Sequence, residues 1–218
     1  MLDLGTSFLA SVARDPSALA IVDGNVRLSY QAWYEKISAL VAAFDDLRLK
    51  PGDHLVTLLQ NNWQAATIHW ACQLAGIVVT PVNWRAKEDE IDFYLDNAEA
   101  RALAYQDVSA AAVAAAKSAG KLPRIAVTIP GSADVDFAQL AAAKAADATP
   151  RVDAEAWSLM LYTSGTTSRP KGVRAGTAPS GPPPSPTWRK TFTRTASARS
   201  ASLPSTTPWA SARCSLCR

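Results

Sequence analysis

The chain has 218 residues, 48% of them hydrophobic and 19% charged, which is enough for one sizeable globular domain or two small ones. Three cysteines do not make the disulfide framework of a small secreted protein. No apolar run approaches the length of a membrane span, and the N-terminus lacks the basic region of a signal peptide. We therefore expect a cytoplasmic protein without a membrane span.

The formal charge of +3 is distributed unevenly along the chain. All 19 acidic residues lie at or before Glu155, whereas seven of the 22 basic residues follow Val173. Residues 174–218 also hold half of the 14 prolines and almost no Ile, Val or Leu. Such a composition cannot bury enough apolar surface to offset the entropy of ordering, so we predict a folded domain at 1–173 and a disordered tail at 174–218. Because the basic excess comes from the tail alone, we expect no nucleic-acid partner.

Helices and short apolar strands alternate along residues 1–173. The first predicted helix starts near residue 2 and ends near Asp15, and the others cover residues 30–47, 63–74, 87–98, 108–118 and 137–145. Predicted strands cover residues 20–22, 26–28, 54–59, 77–80, 102–105, 125–129 and 159–162. Continuous apolar strands between helices are typical of a parallel sheet with both faces covered. The sequence thus predicts an α/β fold with a layered parallel sheet.

Local signals support several of these boundaries. Asp23-Gly24-Asn25 predicts a hairpin between the first two strands, and Ser29 is a suitable N-cap for the helix that follows. Gly76 is a plausible C-cap of the helix at 63–74. That helix is apolar nearly all round, which predicts that it is buried.

Residues 157–173 contain the clearest candidate site. An apolar strand, Leu159–Tyr162, is followed by small hydroxylated residues and glycine, and the segment closes with Arg169-Pro170-Lys171-Gly172. Such a loop can turn backbone N–H groups and hydroxyls around an anion, with Lys171 as a point charge at its rim, so we predict a phosphate site. The alternative is an ordinary polar turn after a strand. The loop is not of the Walker type, because the G-x-x-x-x-G-K-[ST] spacing is absent.

The segment Tyr162–Val173 resembles the phosphate-binding signature of AMP-forming acyl-CoA synthetases and related adenylate-forming ligases, with Ser168 where that family usually has glycine. Earlier landmarks of the same family are similar to Leu28-Ser29-Tyr30, Lys50-Pro51-Gly52-Asp53 and the segment from Leu74 to Asn83. The resemblance covers roughly residues 5–173. It identifies residues 1–173 as a partial AMP-binding domain.

The resemblance implies a reaction and a set of ligands. Members of the family convert ATP and a carboxylic acid, for instance a fatty or aromatic acid, into an acyl-adenylate and pyrophosphate. Coenzyme A then displaces AMP to give a thioester. Mg²⁺ is the expected counter-ion, bridging phosphate oxygens, with no protein metal site expected. The residues carried over as contacts for the β- and γ-phosphates are Thr163, Ser164, Gly165, Thr166, Thr167 and Lys171. No catalytic residue is assigned.

The family's later motifs lie downstream of this loop and are not found in residues 174–218. We therefore expect an inactive N-terminal portion whose uncovered sheet would expose edges and apolar faces. We interpret residues 174–218 as a shifted reading frame, and the rival interpretation is a genuine basic interaction tail. The corresponding alternative function is a non-catalytic nucleotide-phosphate binding or interaction module. Oligomeric state and the acid substrate are left open.

Other candidate side chains give weak signals. Cys72 is expected in the core, and the CxxC spacing of Cys214 and Cys217 lacks the second pair or histidine of a zinc site. His54 and His69 are expected to be core or surface residues rather than bases or ligands. The tryptophans on the predicted helical faces are expected in the core; they are Trp33, Trp63 and Trp70.

Overall fold

The computed structural model of the chain describes residues 3–129, 132, 134–163 and 170–176. Most of the predicted tail and the centre of the predicted phosphate loop lie outside the described residues.

The described residues form helices and strands in the predicted alternation. The helices are α1 Leu4–Arg14, α2 Tyr30–Asp46, α3 Trp63–Ala75, α4 Glu88–Asn97, α5 Asp107–Ala115 and α6 Phe137–Ala142. The strands are β1 Leu19–Asp23, β2 Val26–Ser29, β3 His54–Leu58, β4 Val78–Pro81, β5 Ala102–Gln106, β6 Arg124–Val127, β7 Val135–Asp136, β8 Trp157–Thr163 and β9 Lys171–Gly176. A short 3-10 helix covers Ala119–Lys121.

The strands form a seven-stranded sheet and a separate hairpin. The sheet has the order β7-β6-β5-β3-β4-β8-β9, and every neighbouring pair is parallel except β8 and β9. The hairpin pairs β1 with β2 in antiparallel fashion around the predicted Asp23-Gly24-Asn25 turn. The predicted α/β fold with a layered, mainly parallel sheet is confirmed.

Side chains of the central strands alternate between two apolar cores. Leu55 and Ile125 lie in the core formed with α1, α2, α3 and α6, whereas Val56 and Leu103 lie in the core formed with α4 and α5. All four side chains are fully buried. Because both faces are covered, the strand sequences are continuously apolar instead of alternating with polar residues.

The predicted caps at Ser29 and Gly76 are present, and Asn62 caps the start of α3. Ser29 Oγ accepts a hydrogen bond from Ala32 N at 3.2 Å, and Asn62 Oδ1 accepts one from Ala65 N at 2.8 Å. Gly76 has φ +73°, in the left-handed region that favours glycine, and a Cβ there would lie 2.5 Å from Val152 Cγ1. Glycine at 76 is therefore required both by its backbone and by its neighbour.

The structure differs from the sequence prediction at α5, α6, β7 and β9. The helix α5 ends at Ala115, three residues early, because the Asp92 carboxylate accepts hydrogen bonds from Lys117 N and Ser118 N just beyond it. The helix α6 ends at Ala142, where the alanines that follow are exposed and have no apolar face to bury. The strands β7 and β9 were not predicted at all.

A connector, residues 143–156, follows α6, which packs against β6 and β7 near one edge of the sheet. It leads the chain to β8, near the opposite edge. Ala148 is held from both sides, since its carbonyl accepts a hydrogen bond from Tyr34 Oη at 2.7 Å and its N–H donates to Ser38 Oγ at 3.1 Å. Arg151 N donates to Leu74 O at 2.9 Å. The Arg151 guanidinium also binds both Asp45 carboxylate oxygens, at 2.6 and 2.7 Å. The connector thus fixes where β8 enters the sheet.

The Arg151–Asp45 pair predicts a pH-dependent stability. Hydrogen bonds from Arg151 hold the pKa of the Asp45 carboxyl below its ordinary value of 3.8. A lowered pKa in the folded state gives stability that is present above pH 3.8 and lost as the pH falls through the folded-state pKa. We expect Asp45→Asn to lower the free energy of unfolding by about 0.2–1 kcal/mol at neutral pH, because the pair is partly exposed.

Urea unfolding at neutral pH and at a pH below the folded-state pKa checks this. The difference in free energy of unfolding between wild type and Asp45→Asn should vanish at the acid pH. Asp46→Asn is the matched control, since Asp46 is exposed and makes no side-chain hydrogen bond to the described residues. An equal effect of the two substitutions at neutral pH would contradict the prediction.

Candidate functional site

The carboxyl ends of the parallel strands define the candidate site. The strands β3, β4, β5, β6 and β8 are all parallel, so they end at the same edge of the sheet. In open α/β sheets, ligands bind in the crevices outside this edge. The strand β8 ends at Thr163, the first residue of the predicted phosphate loop. The fold therefore brings that loop to the edge where a ligand is expected.

The side chain of Tyr162 anchors the end of β8. Its Oη donates a hydrogen bond to Asn97 Oδ1 at 2.8 Å, and its ring centroid lies 4.7 Å from that of Tyr94. Burial of the ring, and to a smaller extent Tyr94, raises the pKa of the Tyr162 phenol. The residue immediately before Thr163 is thus fixed to α4.

The two described ends of the loop face one another across the β8–β9 hairpin. Thr163 and Lys171 are direct partners in the antiparallel pair, and Thr163 Oγ1 donates to Lys171 O at 3.5 Å. Of the six predicted site residues, these two are described and are brought together. Ser164, Gly165, Thr166 and Thr167 lie outside the described residues.

The Lys171 ammonium is available to an anion. Lys171 is exposed, and no salt bridge joins it to a carboxylate in the described part of the chain. Its neighbour Gly172 lies opposite Tyr162, and a Cβ at this glycine would overlap the Met160 methyl group. Lys171 therefore places a positive charge at the start of β9. Gly172, which has no side chain, allows β9 to pack closely against β8.

An apolar patch continues along the same hairpin. Leu161 and Val173 are paired directly across β8 and β9, and they are 44% and 53% exposed. Large apolar side chains paired in this way leave uncovered surface on one face of the sheet. This is the exposed apolar face that we expected from the sequence.

The topological switch of the sheet, between β3 and β5, is closed by amide side chains that the sequence analysis did not single out. Gln106 Oε1 accepts hydrogen bonds from Gln60 N at 2.6 Å and Asn62 Nδ2 at 3.4 Å, and Gln106 Nε2 donates to Gln60 Oε1 at 2.9 Å. The only sequence signal for this network is a glutamine after each of two apolar strands. A ligand at this edge must bind beside the network.

Cys72 and the three tryptophans lie in or against the core, as predicted. Cys72 is fully buried, and burial raises the pKa of its thiol well above the ordinary range. Trp33 is buried, and Trp63 and Trp70 pack against the same core. His54 Nδ1 is 3.1 Å from Thr80 Oγ1, and His69 lies in α3. Cys214 and Cys217 lie outside the described residues.

Two further features are absent from the described residues. These residues hold no group of three or more His, Cys, Asp or Glu side chains that could bind a metal ion. None of their helices is both long enough and apolar enough to cross a membrane.

Comparison with known families decides the classification. The family described as "AMP-binding enzyme" matches residues 8–176, which include every described element from the middle of α1 to the end of β9. The chain belongs to the AMP-binding enzyme family. The predicted resemblance to adenylate-forming ligases is therefore confirmed.

Relatives of this AMP-binding chain include acyl-CoA ligases of greater length. A feruloyl-CoA synthase from Amycolatopsis sp. is 29% identical over 170 residues, which cover 78% of this chain and 32% of the relative. The chain thus spans about a third of the length of the curated relatives it matches.

Solved structures of AMP-binding proteins share the fold. The inhibitor-bound N-terminal domain of FACL13 from Mycobacterium tuberculosis has a TM-score of 0.72 at 22% identity, over 81% of this chain and 45% of that one. An anthranilate CoA ligase in complex with anthranoyl-AMP has a TM-score of 0.70 at 15% identity, over 81% of this chain and 35% of that one. These likenesses concern the fold alone.

Proposed function

We propose that the chain is the N-terminal part of an ATP-dependent carboxylic acid–CoA ligase. The observation that carries this proposal is the β8–β9 hairpin, in which Thr163 and Lys171 face one another at the carboxyl edge of the sheet. The family match through residue 176 supports it. So does the relative named feruloyl-CoA synthase.

In the proposed reaction, ATP and a carboxylic acid give an acyl-adenylate and pyrophosphate, and coenzyme A then displaces AMP to form a thioester. The first step is in-line attack of the carboxylate on the α-phosphorus. Catalysis of such a step is chiefly positioning and neutralisation of phosphate charge. The protein groups required are therefore hydrogen-bond donors and a cation that stand around the phosphate chain.

We assign the phosphate contacts to Lys171 and to the loop residues Thr163, Ser164, Gly165, Thr166 and Thr167. The free ammonium of Lys171 fits an anionic ligand, because no described carboxylate neutralises it. The Thr163 hydroxyl has only a long contact, 3.5 Å, to Lys171 O, so it can turn to a phosphate oxygen. Mg²⁺, when bound with ATP, would neutralise part of the phosphate charge, and the described residues hold no group of three or more His, Cys, Asp or Glu side chains that could bind it.

We further propose that residues 1–218 alone do not complete the reaction, because the later motifs of the family are not found in residues 174–218. The change of composition after Val173 falls inside β9, which ends at Gly176. A shifted reading frame is our proposal for the composition that follows. Reading the coding DNA in the other two frames tests it, and the absence of a helix-and-strand pattern in both would contradict it.

An ATP–pyrophosphate exchange assay with mixed carboxylic acids tests the proposed function. The 218-residue chain is compared with a version in which the reading frame after codon 173 is restored. We expect exchange in the restored protein only. ATP binding by the 218-residue chain, without exchange in either protein, would instead favour a non-catalytic nucleotide-phosphate binding module.

A further inference from the structure

A cavity of about 500 Å³ lies between the β1–β2 hairpin, α3 and the carboxyl ends of β3 and β4. Much of its wall is apolar and comes from three different elements, with Ile21 on β1, Leu59 just after β3 and Val79 on β4. Its volume falls within the range of roughly 300–1,000 Å³ that small-molecule sites occupy. The cavity is therefore large enough for a ligand of its own.

The charges around this cavity disfavour an acidic ligand. Among the described residues that line it, Asp23 is the one side chain with a formal charge, and none is Lys or Arg. The Asp23 carboxylate is already engaged, since its Oδ2 accepts a hydrogen bond from Trp63 N at 2.9 Å at the start of α3. A carboxylate or phosphate ligand would find no counter-ion here, and a cation would have to share Asp23 with the helix N-terminus.

Uncharged polar groups converge on the same space. Gln60, Asn61 and Asn62 line the cavity, and His69 lines it from the second turn of α3. The side chains of Gln60 and Asn62 are already hydrogen-bonded to Gln106, whereas the exposed Asn61 amide makes no side-chain hydrogen bond to the described residues. In the described part of the chain the His69 ring makes no hydrogen bond, only an edge contact with Trp70 at 5.7 Å between centroids. Burial lowers the pKa of His69, so its imidazole is neutral near physiological pH and can both donate and accept a hydrogen bond.

We propose that this cavity binds a small, uncharged aromatic molecule that carries an amide or a comparable donor and acceptor. The apolar walls and Trp63 would contact the ring, and the Asn61 amide and His69 would orient the polar group. Such a combination of apolar walls with a few convergent polar groups is typical of small-molecule sites. The proposal does not depend on the proposed function, because none of the described residues that line the cavity is assigned to the phosphate contacts.

The chain offers an internal control, because it contains two histidines. His54 lies at the amino end of β3, does not line the cavity and is 3.1 Å from Thr80 Oγ1. We would label the full chain with ¹⁵N-histidine and titrate it with benzamide, benzoate and benzylamine, which share a ring and differ in charge. We expect benzamide to shift the His69 signals saturably and to leave those of His54 in place.

The three probes separate the possible outcomes. Benzoate is expected to bind at least about tenfold more weakly than benzamide, since an uncompensated buried charge costs more than 1.4 kcal/mol. Equal or tighter binding of benzoate or benzylamine would overturn the proposed ligand class. Failure of benzamide to shift His69, or equal shifts of both histidines, would overturn the site.

A matched pair of variants tests the position of the ligand. Ala65 lines the cavity on α3, whereas Ala111 is exposed on α5, on the opposite face of the sheet. Ala65→Phe fills part of the cavity and should weaken benzamide binding at least about tenfold, and Ala111→Phe should leave it unchanged. Equal binding by both variants would overturn the proposal. The histidine titration of wild type stands even if Ala65→Phe does not fold.

Discussion

Replacing Lys171 with alanine is expected to weaken ATP binding to the 218-residue chain by about ten- to hundredfold. The reason is electrostatic, because a hydrogen-bonded contact between a charged donor and a phosphate contributes about 1.5–3 kcal/mol, and each 1.4 kcal/mol is tenfold in affinity. The structure leaves this ammonium without a described carboxylate partner. Removing it should therefore remove an interaction with the ligand and break none within the protein.

AMP provides the sharpest comparison for this prediction. It lacks the β- and γ-phosphates that Lys171 is proposed to contact, so its affinity should be the same in wild type and Lys171→Ala. Isothermal titration calorimetry with ATP and with AMP, in the presence of Mg²⁺, measures how the affinity for each nucleotide differs between wild type and Lys171→Ala. Lys117→Ala is the matched control, since Lys117 is exposed just beyond α5, on the other face of the sheet.

Unchanged ATP affinity in Lys171→Ala would contradict the assignment of the phosphate loop. An equal loss for ATP and AMP would instead indicate that Lys171 acts on the α-phosphate or on the fold of the hairpin. Raising the salt concentration should reduce the difference between wild type and variant, because Lys171 is exposed and its charge is screened.

Much of the fold could be predicted because its signals are local. Helices and strands differ in the period of their apolar residues. The side chains of Ser29 and Asn62 cap the starts of α2 and α3, and the left-handed backbone of Gly76 ends α3. The phosphate segment is predicted from local signals of the same kind, and its role in binding stays a prediction. Its small residues, its proline and Lys171 are adjacent in sequence, so the composition alone indicates an anion-binding loop.

The elements that sequence reasoning missed depend on distant partners. The segment Lys171–Gly176 contains two glycines and two basic residues, which argue against a strand, and it becomes β9 because β8 offers it a complete antiparallel partner. The end of α5 depends on Asp92, more than 20 residues earlier in the chain. The amide network around Gln106 joins residues about 45 positions apart, at the ends of separate strands.

The same reasoning explains why the cavity beside the hairpin was not predicted. Its lining comes from β1, the ends of β3 and β4, and the first turns of α3. Each contribution is unremarkable in sequence, and Asp23 was identified only as part of a turn. Its carboxylate in fact accepts a hydrogen bond from Trp63 N, 40 residues further on. Tertiary structure, not local pattern, creates the polar surroundings there.

The largest effect on stability is expected at Phe8, whose ring joins α1 to α2 and α3. Phe8 is 3% exposed. Its ring stacks on Trp70 with a centroid distance of 4.8 Å and an interplanar angle of 26°, and it meets Trp33 edge-on at 5.4 Å. Tyr34 packs against it at 6.2 Å. Aromatic pairs of this geometry add to the free energy gained by burying the rings.

Phe8→Ala should lower the free energy of unfolding by about 3–5 kcal/mol, the usual range for a buried phenylalanine, because the surrounding rings cannot close the cavity that it leaves. Phe8→Leu keeps most of the volume and should cost clearly less. Leu4→Ala is the control on the same helix, since Leu4 is 39% exposed and should cost less than about 1 kcal/mol.

Urea unfolding followed by tryptophan fluorescence measures these differences, and Trp33 and Trp70 report on the site itself. The denaturant midpoint should fall while the slope of the transition stays constant, because the surface exposed on unfolding hardly changes. A Phe8→Ala effect no larger than that of Leu4→Ala would mean that α1 is not packed against the core as described. Since α1 packs mainly against α2 and α3, ATP affinity of the folded Phe8→Leu protein should equal that of wild type.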